Sequence, residues 1–531
     1  MNLEIDEVSK MVLTSAAVDI PIVTQDNLIC EELIIDVPLV MEPVQWRECC
    51  IYKVPKKLRQ VKKEAYTPKL ISIGPFHHGE KDLRGEKELR DEENENVPRD
   101  MEMLKVRYFM DFCYRTRKCQ KEIARIIEEN EVKIRHCYAE ISKLNSEDFV
   151  KMVLVDSTFI IELFLRSQEN EKRNEKRSQE NEKRIQENEP LLKNDAKKEE
   201  NEKRSQENEK RIQENEPLLK NDAKKEDEKD EEDYILSKPW LAEGIKQDLM
   251  LLENQLPFFI LKELYDQISY SEKNNEISFL DLACGYFSSS KSKIPAGKEV
   301  NHFTDLVRYS YCPSTQYKKG STITHLYSAT KLYGAGVMFR NDEVDIQFKK
   351  LQLLEIFPCF NISWFLNCLP CLKCFPCLER MQTLLKVPTL IVDDATEICF
   401  RNLMALEQCH YPSESYICNY IVLLDYLINT RDDVELFVEN KIIINGLGSN
   451  EAVATMVNNL GLEIVENRSH YGEMAKKLNV HYENCYNHNM GTLTSTYFPN
   501  LWRGTLTVVG LVVFGFSIWS TIKPFVTHQI D

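Results

Sequence analysis

Residues 504–522, GTLTVVGLVVFGFSIWSTI, constrain this chain more than any other stretch, because they carry no charged side chain. A helix needs about 17–25 mostly apolar residues, each rising ~1.5 Å, to cross a hydrocarbon core. Trp502 and Arg503 precede the stretch, and Trp519, Lys523 and Pro524 close it, the aromatic and basic residues that membrane interfaces favour. A single helix also pairs its own backbone groups, as hydrocarbon requires. The stretch is apolar on all sides and few apolar residues follow Ile522, so it reads as a transmembrane anchor in contact with a lipid bilayer rather than a core helix.

The rest of the chain reads as the body that this helix carries. It has 531 residues and a net charge of -17, room for one large domain or two with insertions. The acidic balance argues against a nucleic-acid partner, which would call for a basic stripe. The first residues, MNLEIDEVSK, show neither the basic nor the apolar region of a secretory leader. The 17 cysteines are odd in number and mostly scattered, unlike a secreted disulfide framework. The expectation is a cytosolic body at the plasma membrane or an endomembrane, with residues 523–531 across the bilayer. The sequons at Asn361 and Asn467 would then stay unmodified.

Residues 1–47 are mixed, acidic and interrupted by Pro21, Pro38 and Pro43, a poorly ordered lead-in. Ile51–Pro55 and Lys69–Ile73 read as short extended pieces around a basic helical turn. Helices are expected at 97–117, with Val106, Phe109, Met110 and Cys113 on one apolar face, and at 121–144. Residues 151–166 are apolar nearly all round, as for a helix inside a core. Between 167 and 233 the composition changes. The unit RSQENEKRIQENEPLLKNDAKKE stands at 177–199 and again at 204–226, a disordered, charged repeat insertion with no stripe wide enough to bury. The domain resumes at 234, where Ile245, Leu249, Leu252 and Leu256 predict a helix running to Pro257. Residues 271–298 read as loop, 302–309 and 324–334 as helices, 335–348 as extended. Further helices are expected at 416–428, 431–440 and from Ser449 or Asn450 to Gly461.

Several of these blocks are similar to one another's neighbours in a single known family. IYKVP, LR, AYTP and SIGPFHHG at 51–79, MVLVDSTFIIELFL at 152–165, DLMLLENQLPFF at 248–259, SATKLYGAGVMF at 328–339 and VPTLIVDDATEICFRNLMALEQCH at 387–410 follow in one order. The chain resembles the plant family called domain of unknown function 247, or uncharacterised protein family 0481, over roughly residues 49–522. The resemblance implies a plant membrane protein of uncharacterised biochemistry, some members being linked to pollen–stigma self-incompatibility. The family pattern runs more directly from 348 to 387, so residues 351–386 look like an addition in this member.

Chemistry-bearing residues are weighed against structural roles. His77 and His78 sit beside a Gly-Pro turn, and adjacent side chains in extended backbone point apart, which suits structural histidines. Asp156 and Glu162, on an otherwise apolar helix, must be paired or protonated if buried. Glu253 and Gln255 read as members of a polar network, and Asp394 and Glu397 as helix-start acids. Cys368, Cys371, Cys374 and Cys377 follow C-x2-C-x2-C-x2-C, with Cys359 nearby. Three readings stay open for them: thiolate ligands for zinc or iron–sulfur, palmitoylation of an apolar loop, or reduced cysteines without a ligand. No nucleophile–base pair, phosphate loop or ligand set stands out. The expectation is therefore a mainly α-helical single domain, residues 48–166 and 234–498, with a few short strands and a membrane tether. Its function would be binding, signalling or recognition with an unidentified protein partner, without cofactor or metal. The alternative is an enzyme whose site gathers Asp156, Glu253 and His77 or His78 by folding.

Overall fold

The computed structural model describes residues 45–79, 101–202, 233–269, 277–288, 294, 297–312, 320–342, 352–354, 383–466, 468–489, 497 and 501–527. The lead-in lies outside the described residues except for its last three positions, and the cysteine cluster lies outside them entirely. What is described is mainly helical, with a few short strands, as the sequence predicts.

The first half is built on α1 (Lys56–Val61), α2 (Met101–Thr116), α3 (Gln120–His136) and α4 (Ser146–Glu202). The start of α4 is capped by Asn145, whose side-chain oxygen accepts the Asp148 amide at 2.8 Å. From Phe149 to Leu165 this helix is buried almost all round, and it packs on α2, α3, α6 (Phe258–Ser269) and α7 (Phe279–Tyr286), while α5 (Pro239–Asp248) opens with proline in its first turn. Phe164 sits at the junction, its ring 4.3 Å from Tyr286 and 5.4 Å from Phe303. Truncating such a residue to alanine costs about 3–5 kcal/mol.

The second half adds α8 (Phe303–Tyr311), α9 (Ala329–Gly334), α10 (Thr396–His410), α11 (Tyr416–Leu427), α12 (Arg431–Glu439), α13 (Asn450–Leu460) and α14 (Gly472–Glu483). Two small sheets lie among them. In one, β3 (Thr383–Pro388) runs parallel to β1 (Val337–Asp342), with Val337 opposite Thr383, and antiparallel to β2 (Gln352–Leu354). In the other, β4 (Leu390–Val392) pairs in parallel with β5 (Ile443–Asn445). One continuous apolar core joins both halves, with a smaller cluster where Tyr52, Val54, Leu58 and Tyr66 meet Leu252, Ala405 and Leu406. The last helix, α15 (Leu501–Thr527), contributes nothing to either over Trp502–Ile522, its described side chains.

Several local expectations change. The helix expected at 324–334 begins only at Ala329, and that expected at 121–144 stops at His136. Helix α2 turns a different face inward: Leu104, Lys105, Tyr108 and Phe112 are buried, whereas Val106 is 37% and Met110 64% exposed. This helix carries two apolar stripes, and the one holding Lys105 faces the core because buried Asp156 needs that ammonium. Helix α5 stops at Asp248 rather than Pro257. Leu249, Leu252 and Leu256 are still fully buried, but in a tight irregular segment. Residues 279–286, read as loop, form α7, whose start is capped by Ser278 accepting the Asp281 amide. Asp393, not Asp394, closes the start of α10, its Oδ1 taking the amides of Ala395 and Thr396 at 3.1 and 2.9 Å. Within segment 351–386, Gln352–Leu354 and the start of β3 are strand residues, with Leu354 opposite Leu384.

Helix α4 continues past the core as far as Glu202, so the first part of the 167–233 insertion is helix. Its side chains are exposed from Glu169 through Glu180. The chain re-enters the domain beside the point where it left: Arg166 Nη1 lies 2.7 Å from Asp233 Oδ2, the guanidinium stacks 4.4 Å over Tyr108, and the Tyr108 hydroxyl donates to Asp233 at 2.8 Å. Replacing residues 174–230 by a short Gly/Ser linker is therefore expected to move the melting temperature by no more than about 2–4 °C, because loop length adds little closure entropy. Arg166→Ala should cost about 1–3 kcal/mol in the same melting experiment, since it strands Asp233.

Candidate functional site

The motif blocks separated along the chain meet around one extended strap, residues 69–75. Extended backbone ordinarily pairs in a sheet, but this strap belongs to neither sheet. Its polar groups are taken by buried side chains instead. Asp248 accepts the amides of Lys69, Leu70 and Ile71 at 3.0, 2.6 and 2.9 Å. Asn254 Oδ1 accepts the Ile73 amide at 2.6 Å, and its Nδ2 donates to the Ile71 carbonyl at 3.0 Å. Asp156 Oδ2 accepts the Gly74 amide at 2.9 Å, and Lys105 donates to the Ser72 carbonyl. Gly74 adopts φ +72°, and a Cβ there would lie 2.6 Å from the Gln255 carbonyl oxygen, so only glycine fits.

Past the turn the two histidines separate. His78 is exposed, while His77 is buried with Nε2 3.1 Å from Glu253 Oε2. Arg59 donates to the same oxygen, and the Val54 amide donates to Oε1 at 2.6 Å. Burial pushes the Glu253 carboxyl up, but the bonds from His77 and Arg59 outweigh it and hold the group below its ordinary range. Asp156 Oδ1 lies 2.7 Å from Lys105 Nζ, which also reaches Glu102 at 2.8 Å. Burial works against the Lys105 ammonium, and these two carboxylates more than restore it. Glu162 lies apart from this centre, bridging Arg115 at 2.9 Å and Arg166 at 2.8 Å. Folding thus joins His77 to Glu253 and ties Asp156 to the same strap through Gly74. Each carboxylate has both oxygens occupied by a structural donor.

A second buried centre was not visible in the sequence. Arg308 is 1% exposed. Its Nε donates to Glu407 at 3.1 Å, its Nη2 to the Glu414 carbonyl at 2.6 Å, and its guanidinium stacks 4.0 Å over Tyr411. Glu407 also accepts the amides of Ile417 and Cys418, both at 2.9 Å. The Tyr411 hydroxyl donates to Asp305 at 2.9 Å. His302 caps α8, its Nδ1 accepting the Asp305 amide at 3.3 Å, and its Nε2 donates to the Cys50 carbonyl at 3.1 Å. That pattern requires a neutral ring. Burial, followed by the nearby His410, pushes the His302 pKa down from 6.5 to about 3. Among the described residues no three His, Cys, Asp or Glu side chains are grouped as metal ligands.

Two outcomes are expected. Asp248→Asn presents an amide group to backbone amides that need an acceptor, and should cost about 1–3 kcal/mol, read as a lower urea midpoint at unchanged m. His302 is neutral when folded and protonates near 6.5 when unfolded. Its contribution is full above pH 6.5 and is lost as pH falls toward 3, with a limiting slope of about 1.4 kcal/mol per pH unit. His302→Gln should flatten that part of the stability profile, measured by urea unfolding at stepped pH.

Comparison with known proteins fits the convergence of these blocks. The chain is similar to the UPF0481 protein At3g47200 of Arabidopsis thaliana, 24% identical over 480 residues, covering 87% of this chain and 83% of that one. It is similar also to the putative UPF0481 protein At3g02645 of Arabidopsis thaliana, 21% identical over 529 residues, covering 85% and 86%. No solved structure matches. The profile described as plant protein of unknown function, DUF247, matches residues 51–516, nearly the whole folded body and most of the apolar helix, and the chain belongs to that family.

Proposed function

We propose that this protein is a membrane-tethered binding module whose body engages a protein partner on the cytosolic side. The observation that carries the reading is α15. Within it Trp502–Ile522 is a 21-residue stretch, long and apolar enough to cross a membrane, with none of it buried against the body. Leu506, Leu511, Phe514, Phe516 and Trp519 are all more than half exposed, a surface that water disfavours and lipid accepts. At ~1.5 Å per residue such a helix spans about 30 Å, the thickness of a hydrocarbon core. The eleven described cysteines are all free thiols, which suits a reducing compartment.

Binding rather than catalysis is favoured by how the buried acids are used. Asp156 and Asp248 direct their oxygens at amides of the strap, and Glu253 directs its own at the Val54 amide, Arg59 and His77. A general base instead needs a lone pair within reach of substrate. On this reading His77 positions Glu253 and is not a proton carrier.

Val512→Arg with Val513→Arg should move the protein from the carbonate-resistant to the soluble fraction, since each central charge costs ~2.5–3.5 kcal/mol on the insertion scale. A doubly charged protein that stays in the membrane pellet would sink the tether, and glycans on Asn361 or Asn467 would place the body on the other side. Proximity labelling with wild-type and charged forms tests the partner. A shared set of neighbours lost only with the tether supports the module.

A further inference from the structure

A cleft of about 900 Å³ opens where α3, α6, α7 and residues 298–300 meet. It uses none of the strap's residues. Its size lies in the range of small-molecule sites. Phe258, at the start of α6, is buried at its back, and Phe259, Leu280 and Val300 form half-buried walls. Apolar side chains half-buried in a concave wall keep a surface that an apolar ligand would desolvate.

The rim has a different chemistry. Four lysines and three carboxylates line the cleft. Lys262 and Asp266 neutralise each other at 3.0 Å, and Glu263 accepts from Asn130 at 3.3 Å. Lys118 donates to the Gln267 carbonyl at 3.0 Å. Lys133 holds its ammonium 3.9 Å above the Phe259 ring, a position that keeps a cation beside the apolar wall. Neither Lys133 nor Lys298 has a carboxylate within ion-pair distance among the described residues. On a chain of net charge -17, the cleft therefore joins an apolar wall to three lysines outside any ion pair within its lining, against two carboxylates, Glu263 and Glu299, a local excess of positive charge.

We propose that this cleft binds an amphiphile with a single acidic head, its apolar chain against Phe258, Phe259, Leu280 and Val300 and its head between Lys133 and Lys298. A carboxylate or a phosphate head satisfies the same chemistry. A neutral amphiphile would leave the two ammonium groups without a partner, and inorganic phosphate alone would leave the wall empty.

The test is photolabelling of the full chain in membranes with a palmitate analogue carrying a diazirine on its acyl chain. Adducts are mapped to peptides, and those on α15 serve as the control for lipid contact. Label is expected on peptides containing Phe258–Lys262 and Leu280. Excess palmitate or palmityl phosphate should displace it, whereas cetyl alcohol and inorganic phosphate should not. Leu280→Trp should remove it by filling the cleft. Lys133→Glu with Lys298→Glu, both on exposed side chains, should lower it about fivefold or more while leaving the α15 label unchanged. Label confined to α15, equal displacement by cetyl alcohol, or full labelling of the double lysine variant would overturn the proposal. Labelling of the cleft in the Val512→Arg, Val513→Arg protein separates this site from the membrane tether, since only the α15 label should disappear there.

Discussion

An extended segment buried without a β-strand partner has to find an acceptor or donor for every backbone polar group, or lose about 1–3 kcal/mol for each one stranded. Residues 69–75 meet that demand at five amides and two carbonyls through side chains drawn from α2, α4, the end of α5 and the segment after it. Three parts of the chain that share no sheet are thereby fixed to one another. The geometry of each is set by the others: α2 turns Lys105 inward to meet Asp156, α5 stops where Asp248 must face the strap, and Asn254 holds the return. Tyr138 at the end of α3 joins by donating to the Gln255 carbonyl at 2.9 Å. Apolar burial supplies most of the driving force for folding, but it is non-directional. The strap selects which packing of these helices is allowed.

The Arg308 centre does the same for the second half. A guanidinium buried this deeply is tolerated only when its donors are satisfied and its charge is balanced. Glu407, the Glu414 carbonyl and the Tyr411 ring meet these conditions from α10 and the turn that follows it. His302, at the start of the same helix as Arg308, reaches back to Cys50. Both polar centres therefore end on the N-terminal extended piece, Cys49–Val54. That short run of chain, which makes an isolated bridge from Ile51 to Tyr138, is where the two polar centres meet the same segment.

Much of this was legible from residue patterns. Helix periodicity located most helices, the all-round apolar run at 151–166 identified the central one, and the charge-free run at 504–522 identified the last. Motif order identified the family. The errors have physical causes. Helix α2 has two apolar stripes, and only the buried partner of Lys105 decides between them. The period through Ile245–Leu256 reports burial, which an irregular segment achieved equally well. Helix α7 is short, and its signal was the Ser278 and Asp281 pair at its start rather than periodicity. Of the residues weighed for a gathered site, His77 and Glu253 meet at 3.1 Å, whereas Asp156 serves the strap at Gly74. Asp248, Asn254, Lys105 and Arg308 were not singled out, because a side chain that serves a distant backbone leaves no trace in local spacing.

The contact between Arg166 and Asp233 has an evolutionary consequence. It holds the two ends of the insertion together beside the Arg115–Glu169 ion pair, so the repeats beyond Glu169 are expected to change in number at little cost to the core. Tandem copies of a 23-residue unit are the kind of sequence that gains and loses repeats by slippage, and the fold places little constraint on their number. Repeat number can drift among close relatives of this gene while Arg166, Asp233 and Tyr108 stay put, and any pressure on the length would have to come from outside the domain.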